Sequence, residues 1–257
     1  MHGQNINKVV NISQLKAACE NCGLHDLCLP IGLDESDLGK LEKIVKRKQP
    51  LKRGEYLFHQ GDSFHSLYAI RSGAVKVYSV SDDGSEQISG FLSPGDLTGM
   101  DAISTELHHS CAKALETTSY CEIPFSQLED LAGRLPGLRH QLLRLMSKEI
   151  VSDEDLLMQL GKKTTEERLA SMLLGLSIKF RDRGYSATEF NLSMSRGDIG
   201  NYLGLAVETV RRTFTRFHDR GLITVDGKLI KINDIQALEN IVNPDSASVV
   251  DSGSRIA

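Results

Sequence analysis

Between Leu51 and Pro124 the apolar residues come only in short runs. YLFHQ, LYAIRS, AVKVYSV, QISGFL and YCEIPF are cut apart by Gly54, Gly61-Asp62, Ser72-Gly73, Asp83-Gly84 and Pro94-Gly95-Asp96. A helix needs its 3.6-residue repeat sustained over several turns, and punctuation at this interval denies it. The cadence predicts a small all-β barrel or jelly roll. Asp83-Gly84, between AVKVYSVS and SEQISGFL, is the clearest hairpin, because Asp-Gly supplies the positive φ that tight turns require.

The flanks have another period. In IGLDESDLGKLEKIVKRKQP the residues Leu33, Leu38, Leu41, Ile44 and Val45 recur at helical spacing until Pro50, which predicts one short helix. Residues 137–160 hold no proline and no internal glycine and predict a long helix. Along it Leu143, Met146, Ile150, Asp153, Leu157 and Leu160 alternate steps of three and four, the narrow seam by which a helix pairs with a copy of itself. In a parallel dimer Asp153 would meet its own copy and oppose association. The alternative is a solvated acid on a helix packed only within its own chain.

A chain of 257 residues can bury more than one core, and its net charge of −4 argues against coating nucleic acid by bulk charge. That figure is an average. Residues 1–159 hold 16 Lys/Arg against 22 Asp/Glu, whereas 160–220 hold 11 against 7, a division that suits a sensor joined to a nucleic-acid reader. No segment approaches the ~18–20 apolar residues of a membrane span, and the first 18 residues lack a secretory apolar core, so a cytosolic protein with no membrane partner is expected. Five cysteines are too few and of the wrong parity for a disulfide framework.

In SMSRGDIGNYLGLAVETVRRTFTRFHDRGLI, Ser195 and Asp198 resemble a capping box, and Leu203-Gly204-Leu205 interrupts the helix it starts. A second helix runs from about Ala206 to His218, with Val207, Val210, Phe214 and Phe217 as its inward face. Glu208, Arg211 and Arg212 lie on the opposite face, early in the helix, where a recognition helix reaches base edges in the major groove. Arginine can bond guanine O6 and N7 together, and a carboxylate can accept from a cytosine amino group. A surface ion pair between Glu208 and Arg212 is the competing explanation. The following LITVDGKLIKI, two β-rich runs joined at Asp226-Gly227, looks like a wing, on which Lys228 and Lys231 serve either phosphate or solubility. Nothing along the chain pairs a nucleophile with a base or forms a phosphate loop, so no enzyme is expected.

Cys19, Cys22 and Cys28 stand in CENCGLHDLC at spacing C-x2-C-x5-C, thiols with no packing reason to cluster in a short arm. They suit zinc or an iron–sulfur cluster equally, and a fourth donor could be Cys111, Cys121 or a histidine.

CENCGLHDLC, SLYAIRSGAVK, DDGSEQISGF, ALETTSYCEIPF and RGDIGNYLGLAVETV together resemble the fumarate and nitrate reduction regulators (FNR) and the related ANR proteins, over nearly the whole chain. The resemblance implies an α+β fold: an N-terminal double-stranded β-helix of the cyclic-nucleotide-binding type, a long dimerisation helix and a C-terminal winged helix-turn-helix. It implies a cysteine arm over 1–30, a sensor barrel over 31–134, the dimerisation helix over 135–162, the DNA-binding domain over 163–242 and a disordered tail over 243–257. It further implies one 4Fe-4S cluster per subunit, held by Cys19, Cys22, Cys28 and Cys121 with Cys111 spare. The cluster would stabilise a DNA-binding homodimer without oxygen, convert to a 2Fe-2S form with it, and so control promoter activation, and some repression, through RNA polymerase. Glu208 and Arg212 match the family's recognition pattern for inverted TTGAT repeats, whereas Arg211 stands where serine is usual. GDLTGMDAISTELHHSCAKAL lacks the Gly-Glu-Leu and the arginine of the nucleotide-binding version, so no cyclic nucleotide is expected. A regulator with a zinc or thiol redox site is the alternative.

Overall fold

The computed structural model describes Cys19 and residues 22–243. The arm ahead of Cys19 and the tail from residue 244 onward lie outside the described residues. Helix α1 (Glu35–Ile44) starts where the Asp34 carboxylate accepts from the Asp37 N–H at 2.8 Å. It stops short of the expected Pro50: Val45 is extended, and Lys46–Arg47 forms β1 instead.

The barrel continues with β2 (Tyr56–Phe58), β3 (Ser66–Ser72), β4 (Val75–Val80), β5 (Glu86–Leu92), β6 (Leu97–Thr98), β7 (Cys111–Ala114) and β8 (Ser119–Pro124). Two antiparallel sheets form, in the orders β1-β8-β3-β6 and β2-β7-β4-β5, the jelly-roll arrangement that the punctuation predicts. Strand alternation divides β3 cleanly. Tyr68 and Ile70 join Phe58, Val75, Leu92 and Ala112 inside the barrel, while Leu67 and Ala69 face a second core outside it. The β4–β5 hairpin closes through the expected tight turn, with Gly84 at φ 81° donating its N–H to the Ser81 carbonyl at 2.8 Å and the Asp83 carboxylate accepting from the Ser81 hydroxyl at 2.7 Å and the Ser85 N–H at 3.0 Å.

Helix α2 (Phe125–Arg134) leads into α3 (Pro136–Lys162), whose proline sits in the first turn where no intrahelical donor is needed. Leu138 is fully buried in the outer core, worth ~1.5–3 kcal/mol over leaving it exposed. The C-terminal module comprises α4 (Thr165–Asp182), β9 (Glu189–Asn191), α5 (Arg196–Leu203), α6 (Val207–Asp219), β10 (Ile223–Asp226), β11 (Leu229–Ile232) and α7 (Ile235–Val242), packed on Leu169, Leu173, Ile199, Leu203, Phe214 and Phe217. Ser195 and Asp198 make both hydrogen bonds of a capping box at 3.0 Å. Gly204 takes φ 62° to end α5, and a Cβ at Gly200 would stand 2.6 Å from the Leu205 carbonyl oxygen, so the turn needs both glycines. The wing forms at Gly227-Lys228 and gains β9, which periodicity did not reveal, as a third strand.

Helix α5 docks on the barrel. The Asn201 side chain accepts from the Ile88 N–H and donates to the Glu86 carbonyl, each at 2.6 Å, extending edge strand β5, and Lys76 pairs with Asp198 at 3.1 Å. Arg183 holds Asp96 of the β5–β6 turn at 2.8 Å. Among the described residues no helix is long and apolar enough to cross a membrane.

Candidate functional site

Cys121 lies on β8, flanked across the sheet by Arg47 on β1 and Ala69 on β3. Directly paired residues share a face, so this row presents a thiol next to a side chain small enough to leave space. A chain of short turns brings the other cysteines there: the Cys22 N–H donates to the Cys19 carbonyl at 3.2 Å, the His25 N–H to the Cys22 carbonyl at 2.9 Å, and a 3-10 turn at His25–Leu27 delivers Cys28. Cys19, Cys22, Cys28 and Cys121 line one pocket, closed by Leu29, Pro30, Leu41, Val45 and Ile123, with Arg71 and His25 at its wall.

The electrostatics place all four within mutual reach. Burial pushes the Cys19 thiol up to about 12, reinforced by Cys121, Glu42 and Cys22. Burial does the same at Cys28, also to about 12, against the lowering effect of the Leu29 N–H and with further elevation from Cys121, Cys19 and Cys22. The Cys121 thiol is raised by burial while Arg71 and Arg47 pull it down. Cys28 thus feels all three of the other thiols, Cys19 feels Cys121 and Cys22, and Cys121 feels Cys22. Among the described residues no group of three or more His, Cys, Asp or Glu side chains is arranged to hold a metal ion. The thiols surround a shared apolar space without converging on one point. Cys111 is elsewhere, buried on β7 of the other sheet with Tyr78 and Ile88 and accepting from the Gln60 N–H.

The pocket is tied to α3 by a residue that periodicity did not single out. Gln141 is buried, its Nε2 donates to the Cys28 carbonyl at 3.3 Å, and its Oε1 accepts from Arg144. Leu29 and Leu138 share the outer core with Cys28, Cys121, Leu142 and Leu145. Only a polar residue on a helix face otherwise committed to apolar packing could have signalled this.

Beyond the barrel, Leu143, Met146, Ile150 and Leu157 of the expected seam are exposed on α3, as are Val151 and Met158, which the three-four pattern omitted. Leu160, by contrast, is half-buried against the turn at Gly204. Asp153 is exposed at the margin of this stripe and lines a groove with Phe91, Lys179 and Tyr202, and withdrawal from water raises its carboxyl above the usual range.

On α6, Val210, Phe214 and Phe217 are buried as expected, but Val207 is 42% exposed, because the first turn projects beyond the module's core. Glu208, Arg211 and Arg212 are all exposed. Arg212 and Glu208 do form the competing ion pair, at 3.3 Å, yet with side chains 75% and 60% exposed neither is committed to it. Arg220 and Arg216 are bound to Glu166 of α4, which leaves Arg211 without an ion pair among the described residues. Arg196 stacks on Phe214 at 3.7 Å and braces α5 against α6. Lys228 and Lys231 are exposed on the wing.

The chain matches a cyclic nucleotide-binding domain family over residues 48–134 and a Crp-like helix-turn-helix domain family over 167–241. It is 55% identical over 219 residues to the transcriptional activator protein Anr of Pseudomonas protegens, covering 85% of this chain and 90% of that protein. It is 50% identical to the fumarate and nitrate reduction regulatory protein of Yersinia pestis, covering 88% and 91%. Among solved structures, FixK2 from Bradyrhizobium japonicum superposes with a TM-score of 0.71 at 31% identity, covering 77% of this chain and 97% of that one.

Proposed function

Because this chain belongs to the FNR/Anr family of transcriptional regulators, within the CRP/FNR group, we propose that it binds promoter DNA as a homodimer while a 4Fe-4S cluster held by Cys19, Cys22, Cys28 and Cys121 is intact, and releases it in oxygen. The observation that carries this reading is the gathering of those four thiols, three from the N-terminal loop and one from β8, around one apolar pocket that excludes Cys111. The donor set fits: Cys19, Cys22, Cys28 and Cys121 would supply the four soft thiolate ligands that such a cluster takes. When bound, the cluster supplies an oxygen-labile tie between the cysteine loop and the barrel.

The chain's own residues transmit the state of that tie. Gln141 and the Leu29–Leu138 core couple the loop to α3, whose exposed stripe is the dimer seam. Complete burial of a leucine or isoleucine such as Leu143, Ile150 or Leu157 contributes ~1.5–3 kcal/mol, and Asp153 opposes it, so association sits near balance and a modest input from the loop shifts it. Dimerisation would place two α6 helices on two half-sites, with Glu208 and Arg212 reading the bases of TTGAT-type repeats and Arg211 on phosphate. Activation would then follow from contact with RNA polymerase. The barrel interior is filled by Phe58, Ile70, Val75, Leu92 and Ala112, which supports a relay rather than a nucleotide receptor.

Purification without oxygen tests the reading. A brown protein with iron and sulfide in equal amounts, whose specific DNA binding disappears with its colour in air, is the expected result. A colourless zinc protein, or colour lost with DNA affinity unchanged, would overturn it.

A further inference from the structure

Among the described residues three buried side-chain polar atoms lack a hydrogen-bond partner: Arg47 Nε, Arg71 Nε and Gln159 Oε1. Two of the three flank the cysteine pocket. Arg47 is the direct ladder partner of Cys121 and shares its face of the sheet. Arg71, two residues beyond Ala69 at the β3 bulge, lines the pocket together with all four cysteines. Buried donors are normally paired, and a guanidinium cannot shed its charge to avoid the penalty. The neighbouring acid on β8, Glu122, is already engaged by Lys48 at 3.0 Å and by the Ser66 hydroxyl at 3.3 Å. Two open cationic donors thus stand beside four thiols in a pocket whose other walls are largely apolar.

An iron–sulfur cluster bound by four thiolates is a net anion, and its potential follows net charge and hydrogen bonding at sulfur. We infer that Arg47 and Arg71 are the charge-compensating positioning residues of the four-cysteine site, supplying the positive charge and N–H donors that retain the bound group and set how readily it is reduced. The inference rests on the iron–sulfur reading of that site. Removing either cation disfavours the more negative, reduced state and weakens retention.

The experiment uses the full chain, loaded with ferrous iron and sulfide under nitrogen, as wild type, Arg47→Gln, Arg71→Gln and the matching Lys variants, with circular dichroism confirming the fold. Midpoint potential and the rate of iron release to a ferrous chelator are read. Each Gln variant should shift the reduction equilibrium at least tenfold toward the oxidised form, about 59 mV for a one-electron couple. Each should also release iron at least three times faster, and the Lys variants, which keep the charge, should recover most of both effects. Unshifted Gln variants beside a loaded wild type overturn the assignment alone, as do equal shifts in Gln and Lys variants. A wild type that takes up neither iron nor sulfide overturns the iron–sulfur reading and the assignment with it.

Discussion

Gln141 of α3 donates from Nε2 to the backbone carbonyl of Cys28 at 3.3 Å, beside a core built from leucines and other apolar side chains. A polar side chain there is costly unless paired, and its partner is the loop that carries three of the four thiols. Gln141→Leu should therefore leave iron content near wild type, because no ligand is touched, while narrowing the difference in dimer affinity between loaded and metal-free protein. Loss of that hydrogen bond should cost ~0.5–1.5 kcal/mol of stability as well, since the Cys28 carbonyl keeps the Ile31 N–H at 3.4 Å. Sedimentation velocity on both forms provides the check. An undiminished difference would show that the loop signals to α3 by another route.

In the proposed seam Asp153 would oppose association by charge. Its carboxyl is already raised by withdrawal from water, and Glu149 one turn earlier is raised by burial and by Asp153 itself. Asp153→Ala should dimerise in air, with the dissociation constant falling about tenfold for each ~1.4 kcal/mol of repulsion removed. The wild type should associate more strongly as pH falls through the elevated Asp153 value, since protonation removes the same repulsion, and Asp153→Asn should flatten that dependence. A sizing column run in air decides it: a monomeric Asp153→Ala variant would sink the idea.

The recognition helix separates two kinds of contact. Glu208 stands where a carboxylate can read a base edge, so Glu208→Ala should lose ~1–3 kcal/mol of discrimination at one position of the half-site. Arg211, free of the Glu166 network that engages Arg216 and Arg220, should contact phosphate. Arg211→Ser should weaken binding to all sequences alike and reduce the salt slope by ~1 per half-site. Titrations on TTGAT-type inverted repeats at several salt concentrations separate the two outcomes. A change of preferred sequence in Arg211→Ser would make Arg211 a base reader instead.

Local chemistry wrote much of this fold into the sequence. Punctuating glycines and aspartates disclosed the barrel, and Ser195, Asp198 and Gly204 disclosed the helix-turn-helix, because caps and turns act within a few residues. What stayed hidden depends on distant partners. Asn201 shows no local sign that its amide would complete the edge of β5, and Arg47 sits in a helical-looking run that pairing with β8 turns into a strand. Gln141 interrupts a leucine pattern for a reason found only at Cys28. Val151 and Met158 lie off the ideal seam and become visible only once Leu143, Ile150 and Leu157 are known to be exposed on the same helix.

The elevated thiols carry a last pair of consequences with opposite signs. In the metal-free, reduced protein Cys19 and Cys28 are held near 12 against an ordinary 9.0, chiefly by burial. Above about pH 9 the unfolded chain surrenders these protons while the native state keeps them, so the native state binds more protons and stability falls as pH rises toward 12. Loading works the other way. Each thiol must lose its proton to become a ligand, so iron uptake releases protons and strengthens as pH rises from about 7 to 9. Urea unfolding of the metal-free protein across the alkaline range should show a fall that Cys19→Ser with Cys28→Ser makes shallower. Chelator competition for iron in the wild type should show affinity climbing over the lower range. A pH-independent affinity would mean that the thiols are already ionised in the metal-free state, which the burial of Cys28 argues against.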